Sequence, residues 1–236
     1  MIYSMLLLIM EQIEILQNCK TWLVVNKPAG LSVHNNEDDT NLIKLLDRQG
    51  HKGLSPINRL DKETSGIMIL SFDSDVSRNL QASLSEQSTL KSYLAIVKGT
   101  FSQENQKGSW NQDLTNKAEG RKNPLGMKKD RVKSLTNFKV IKANKYLTLL
   151  ELTIETGRQH QIRKHCLSQK HQVIGDQRYG DQKFNTLIKK KYLFNNMALH
   201  SHRLSFKFEN KNYSFSTPPP NSWMALEVYN TSSLNS

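Results

Sequence analysis

Three short stretches concentrate the side chains that could do chemistry. The first, residues 58–66, reads Asn-Arg-Leu-Asp-Lys-Glu-Thr-Ser-Gly and runs directly into the apolar residues 67–70. It places Asp61 on a polar loop at the edge of a sheet, a common position for a working carboxylate. Asp, Thr, Ser and Gly are also ordinary turn formers, and taken alone the stretch reads as a turn. The second, Thr156 to His165, packs two Arg, two His and two Gln into ten residues. Ile162 would face the core and so fix Arg163 on a rigid helix. His160 and His165 are five residues apart, which is the wrong spacing for a metal pair on one helical face, so no metal is expected. An exposed basic helix start reads equally well from composition. The third, Lys91-Ser92-Tyr93, is by itself uninformative, because a strand tyrosine is usually a core residue with a satisfied hydroxyl.

The elements that must position these stretches follow from hydrophobic periodicity. Residues 21–26 read as a strand stopped by Pro28 and Gly30. Leu42, Ile43, Leu45 and Leu46 have helical spacing, and residues 67–70 are a short buried strand. Asp73 is placed to cap a helix in which Val76, Leu80 and Leu84 recur every fourth residue. Further strands are expected at 91–97, 134–142 and 146–154, with a helix over 159–169 carrying Ile162 and Cys166 on one face. Leu204, Phe206 and Phe208 alternate with polar residues in a half-buried strand. Pro218 to Pro220 end the sheet region, and 221–228 would form a last short helix. Residues 101–133 read as a long loop or small insertion. This order predicts an α+β fold with a mixed, largely antiparallel sheet flanked by helices. The expected division is an N-terminal extension over 1–20, a catalytic domain over 21–220 with a basic insertion at 117–133, and a C-terminal tail over 221–236.

Thirty-three Lys and Arg against 21 Asp and Glu give a net charge of +12, which favours a polyanionic partner. Residues 117–133 hold seven basic side chains against two acidic ones. Lys128, Lys129 and Arg131 there are candidate contacts to a nucleic-acid backbone, and Lys189 to Lys191 form a second basic knot. Two cysteines without a CxxC pair suggest free thiols in a reducing, cytoplasmic setting. The apolar start, MIYSMLLLIM, is too short to span a bilayer and lacks the flanks of a signal peptide. A translation start at Met10 would account for it. No glycine-rich phosphate loop follows a predicted strand, so no nucleotide cofactor is expected.

Taken together and in this order, the three stretches resemble the RluA family of pseudouridine synthases. The family's Arg-Leu-Asp-x-x-Thr-Ser-Gly motif stands at Arg59 to Gly66, its Lys-x-Tyr motif at Lys91 to Tyr93, and its Gly-Arg-x-His-Gln-Ile-Arg-x-His motif at Gly157 to His165. Asn26 to Gly30, Gly175 to Gly180 and Leu199 to Leu204 add supporting matches. Asn58 departs from the His that many members carry. The resemblance spans about Thr21 to Pro219 and leaves no room for a separate N-terminal S4 domain.

The resemblance implies a cofactor-independent isomerisation of uridine in structured RNA, transfer RNA or large-subunit ribosomal RNA; a monomer without membrane contact is the default expectation. Asp61 would be the central carboxylate, acting on the sugar C1′ as nucleophile or at the 2′ carbon as base. Arg163 would pair with it and keep it ionised. Tyr93 would lie against the uracil and help remove the C5 proton. Arg59 would fill the space left by the extruded base, and Thr64, Arg158, His160 and Gln161 would bind substrate. A catalytically silent RNA-binding protein on the same fold is the alternative. A metal-dependent hydrolase is disfavoured by the lack of ligand spacing.

Overall fold

The computed structural model describes residues 12–34 and 40–229. Among these residues ten strands join in one sheet. Strands β1 (Glu14–Asn18), β2 (Trp22–Lys27), β4 (Ser65–Ser71), β11 (Leu199–Phe208), β5 (Leu90–Lys98), β10 (Leu147–Ile154), β9 (Thr136–Ala143) and β6 (Lys107–Trp110) follow one another in that order. Strand β3 (Ser55–Pro56) pairs with β4, and β12 (Lys211–Ser216) pairs with β11. Among the described residues the pairings are antiparallel except β4 with β11, where Ser65 and Gly66 lie opposite His200 and Ser201. The expected mixed, largely antiparallel α+β fold is what forms.

Alternation along the strands sends apolar side chains to both faces, so both are covered. Helices α1 (Leu42–Arg48) and α3 (Gln161–Ser168) cover one face, over Leu23, Val25, Met68, Leu70, Ala95, Val97, Leu150 and Leu152. Helix α2 (Ser74–Leu84) packs on Val24, Ile67 and Ile69, and α4 (Gln182–Tyr192) on Leu94, Ile96 and Leu149, from the other side. Asp73 caps α2 as expected, accepting from the backbone N–H groups of Asp75 and Val76.

The parallel junction matters most for function, because it ends the Asp61 loop at the centre of the sheet. Ser201 pairs with Gly66 on one side and with Tyr93 on the other. Gly66 has φ +111, and a Cβ there would run into the Ser201 backbone. Gly66→Ala is therefore expected to cost about 2 kcal/mol or more in urea unfolding, from backbone strain and collision.

Several expectations need correction. Residues 101–133 are not simply a loop: β6 extends the main sheet along β9, anchored by buried Trp110 stacked on Phe138 at 4.7 Å. The rest carries a two-stranded ribbon, β7 (Leu114–Thr115) with β8 (Arg131–Val132). The sheet also begins before residue 21, since β1 pairs with β2 and Ile13 is buried. Residues 221–229 are no tail. A 3-10 turn at Asn221–Ala225 carries Trp223 into the core, with Leu226, Val228 and Tyr229 behind it. Helix α4 and strand β12 were not anticipated. The start proposed at Met10 lies outside the described residues.

Candidate active site

Asp61 sits on the turn between β3 and β4, and an unusual lysine shapes that turn. The Lys27 ammonium is fully buried and donates to the carbonyl oxygens of Pro28, Leu31 and Lys62 at 2.8–3.0 Å. Thr64 is buried, and its N–H closes the turn onto the Asp61 carbonyl. Burial pulls the Lys27 pKa down to about 8, against the charges of Glu63 and Asp61, which favour the ammonium. In the unfolded chain the same group keeps its proton to about pH 10.5. Between these values the unfolded state binds more protons, so this residue makes stability rise with pH. The stability of the wild type relative to Lys27→Met is expected to grow by up to roughly 3 kcal/mol between pH 8 and 10.5, measured by denaturant unfolding across that range.

Arg163 reaches the same loop from α3. Its Nη1 donates to Asp61 Oδ2 at 2.7 Å, while Nε and Nη2 form a two-pronged pair with Asp176 at 2.7 and 2.9 Å. The guanidinium is 4% exposed and Asp176 1%, whereas the Asp61 side chain is 24% exposed. Burial alone would work against the arginine's charge. The hydrogen bonds and charge of Asp176, joined by those of Asp61, outweigh it and hold the pKa above its ordinary value. Asp176 is itself fixed, accepting from the N–H groups of Arg178 and Tyr179. Gly175, with φ +77, makes that turn possible, because a Cβ would collide with the Asn196 carbonyl.

His160 takes a left-handed conformation, φ 56, so α3 begins at Gln161 and not at 159. The bend aims its ring into the site: Nε2 lies 3.6 Å from Asp61 Oδ1 and Nδ1 lies 3.0 Å from the Tyr179 hydroxyl. Burial lowers the His160 pKa, and Arg163, Arg178 and Lys164 add to this against the pull of Asp61. Burial raises the Tyr179 hydroxyl to about 12. A neutral imidazole accepting from Tyr179 at Nδ1 carries its own proton on Nε2, towards Asp61. The Tyr179 ring also stacks beside Arg163, 5.2 Å from the guanidinium carbon.

The carboxylate opens into a cleft of about 700 Å³ bordered by Arg59, Lys62, Arg158, Gln159, His160 and Arg178. A smaller cavity beneath it adds Thr64, Tyr93, Ile154 and Leu199. The Tyr93 ring is partly exposed there, while burial of its hydroxyl pushes the pKa up to about 12, against a hydrogen bond with Ser201. Asp61, Tyr93, Arg163, Arg59, Arg158 and His160 are thus brought together. Gln161 borders the smaller cavity too, with its amide engaged by neighbouring protein groups. Its oxygen accepts from Thr156 Oγ1 and the Arg158 N–H, and its amide nitrogen donates to the Leu135 carbonyl and Thr136 Oγ1. It shapes the loop before α3, and those bonds commit both ends of its amide. Lys128, Lys129 and Arg131 lie on the ribbon, outside the cleft lining. Lys128 and Lys129 are exposed, but the Arg131 guanidinium donates to the Gly126 carbonyl. The ribbon is moored to the cleft wall, where Arg178 donates to the Ala118 carbonyl and Lys164 to those of Thr115 and Lys117. Among the described residues no group of His, Cys, Asp and Glu could hold a metal ion, and no helix is long and apolar enough to cross a membrane.

Asp176, Tyr179 and Lys27 were not singled out for the site from sequence. Each lies in one of the supporting matches, which was the available signal, but their work depends on tertiary contacts.

Residues 21–168 match the RNA pseudouridylate synthase family. The tRNA pseudouridine synthase C of Vibrio parahaemolyticus is 27% identical over 235 residues, 91% of this chain and 94% of that protein. The ribosomal large subunit pseudouridine synthase C of Buchnera aphidicola is 32% identical over 189 residues, 78% of this chain, and the match spans only 59% of that longer relative. Among solved structures, human RNA pseudouridylate synthase domain containing 1 superposes with a TM-score of 0.73 at 25% identity, covering 89% of this chain and 84% of that one. Motif order, sheet topology and these likenesses agree, and the chain belongs to the RluA-type RNA pseudouridylate synthases, enzymes that isomerise uridine within RNA.

Proposed function

We propose that this chain converts a uridine of transfer RNA or large-subunit ribosomal RNA to pseudouridine, with Asp61 as the catalytic carboxylate. The observation that supports this most strongly is a carboxylate that is open to a cleft yet held from behind by a buried, doubly paired arginine. The reaction breaks the bond between ribose C1′ and uracil N1, turns the base, joins C1′ to C5, releases the C5 proton and leaves N1 protonated from solvent. It needs neither redox change nor an external energy source. Attack on C1′ and proton removal at the 2′ carbon both use a carboxylate facing the ribose, and Arg163 holds that group in place from behind.

Tyr93 is a phenol at neutral pH and so a weak proton acceptor. Its ring, on the floor beside Asp61, is suited to placing the uracil. Arg59, exposed at the rim, would take the space of the extruded base, whose unstacking costs a few kcal/mol. Arg158 and His160 would contact the flipped nucleotide. The names of the relatives support RNA as partner, and the Vibrio enzyme, matched almost end to end, is named for transfer RNA.

Tritium release from transcripts carrying C5-labelled uridine tests the activity. Release equal to pseudouridine formed is expected, and no release from either RNA class would leave only the silent RNA-binding reading. Neutralising Lys128 and Lys129 is expected to weaken binding and lower the slope of log affinity against log salt by about 1–2, read from filter-binding titrations.

A further inference from the structure

Two motif residues have no part in the site described so far. They are Lys91, two before Tyr93, and Arg203, close behind Ser201 on β11. The fold brings them to one place. Strands β5 and β11 pair antiparallel with Lys91 opposite Leu204 and Arg203 opposite Ser92, and a register shift between Ser201 and Arg203 turns the strand there. Both side chains line a second groove of about 510 Å³. This groove meets the cavity beneath Asp61 through shared walls at Arg59, Tyr93, Ile154 and Gly157. It therefore continues the active-site cleft past Tyr93, away from Arg158 and Arg178.

The chemistry of this groove is one-sided. Arg59, Lys91 and Arg203 line it, and among the described residues no acidic side chain does. Among the described residues, neither the Lys91 nor the Arg203 side chain makes a hydrogen bond or an ion pair. Lys91 is half-buried, and its pKa is lowered by burial with no carboxylate opposing the shift. A cation drawn partly out of water without a partner is costly unless an anion joins it. Ile57, Leu84 and Leu204 give the wall an apolar part beside the polar Asn58, Gln81 and Ser85, a surface against which a base can lie.

We propose that this groove holds the nucleotide adjoining the target uridine, with its phosphate between Lys91 and Arg203 and its base against Ile57 and Leu204. The RNA strand then crosses the site in both directions from Asp61: over Arg158 and Arg178 on one side, and over Lys91 and Arg203 on the other. This rests on the reading of the chain as an RNA-modifying enzyme.

The test is a comparison of the full-length wild type, Lys91→Gln, Arg203→Gln and the double variant, with Lys142→Gln, an exposed cation on β9, as a control. Affinity for unmodified substrate RNA is titrated at several salt concentrations, and tritium release gives KM and kcat separately. Each single variant is expected to raise KM about tenfold and to lower the salt slope by about one, and the double variant to lower it by about two, with the loss carried by KM. Lys142→Gln is expected to leave the slope unchanged. Thermal melting of each variant within a few degrees of wild type excludes a folding cause. Slopes and KM equal to wild type in the double variant, or a loss confined to kcat, would overturn the groove as a nucleotide subsite. Wild-type protein that binds RNA but releases no tritium would overturn the enzymatic reading instead, while the salt slopes would still report on the groove.

Discussion

Asp61→Asn is expected to abolish pseudouridine formation, lowering turnover by at least about 10³-fold, while RNA affinity stays near that of the wild type. The amide has almost the same shape and can still accept from Arg163 Nη1. It can neither attack C1′ as an anion nor take a proton from the 2′ carbon. Folding is not at risk, because Arg163 keeps its two-pronged pair with Asp176 and the Asp61 side chain is already a quarter exposed. Filter binding and single-turnover tritium release on the same preparation separate affinity from chemistry.

Arg163→Ala carries the second large effect and differs in kind. It removes the partner of Asp61 and also leaves Asp176, 1% exposed, as an uncompensated buried charge. Breaking a buried pair in this way costs about 3–5 kcal/mol of stability. The loss of position at Asp61 should lower turnover by about 10²-fold or more. Adding Asp176→Asn to Arg163→Ala separates the two effects. It relieves the stranded charge, so much of the stability should return while turnover stays reduced. Urea unfolding beside initial rates reads both. Full activity in Arg163→Ala would show that the carboxylate needs no cation behind it.

Much of this site was legible because its parts lie in contiguous stretches. Asp61, Tyr93 and Arg163 each sit in a motif whose residues are neighbours in sequence, and the apolar runs around them fix strands and helix by periodicity alone. What escaped was tertiary. Asp176 binds Arg163 from 13 positions away, and no local pattern marks an aspartate as the inner half of a pair. Lys27 reads as a turn lysine until its three carbonyl partners are seen. The four internal hydrogen bonds of Gln161, a residue expected to bind substrate, are likewise visible only in the fold.

Elements were missed where the pattern is thin. Strand β6 has a single anchoring aromatic, Trp110, in a polar stretch. Helix α4 fully buries only Asn185 and Ile188, with Phe184 and Tyr192 partly covered, and Lys189 to Lys191 interrupt its apolar stripe. Strand β12 alternates Tyr213 and Phe215 with polar residues, and it is the tight turn at Glu209 and Asn210, both at positive φ, that folds it back on β11.

The central claim is that Asp61 makes pseudouridine in cellular RNA, and carbodiimide mapping of transfer and ribosomal RNA tests it most directly. Three strains are compared: one lacking the gene, one restored with the wild-type gene, and one restored with Asp61→Asn. The expected result is a small set of modified uridines that vanishes in the first, returns in the second and stays absent in the third. The same set returning in full with Asp61→Asn would contradict the account.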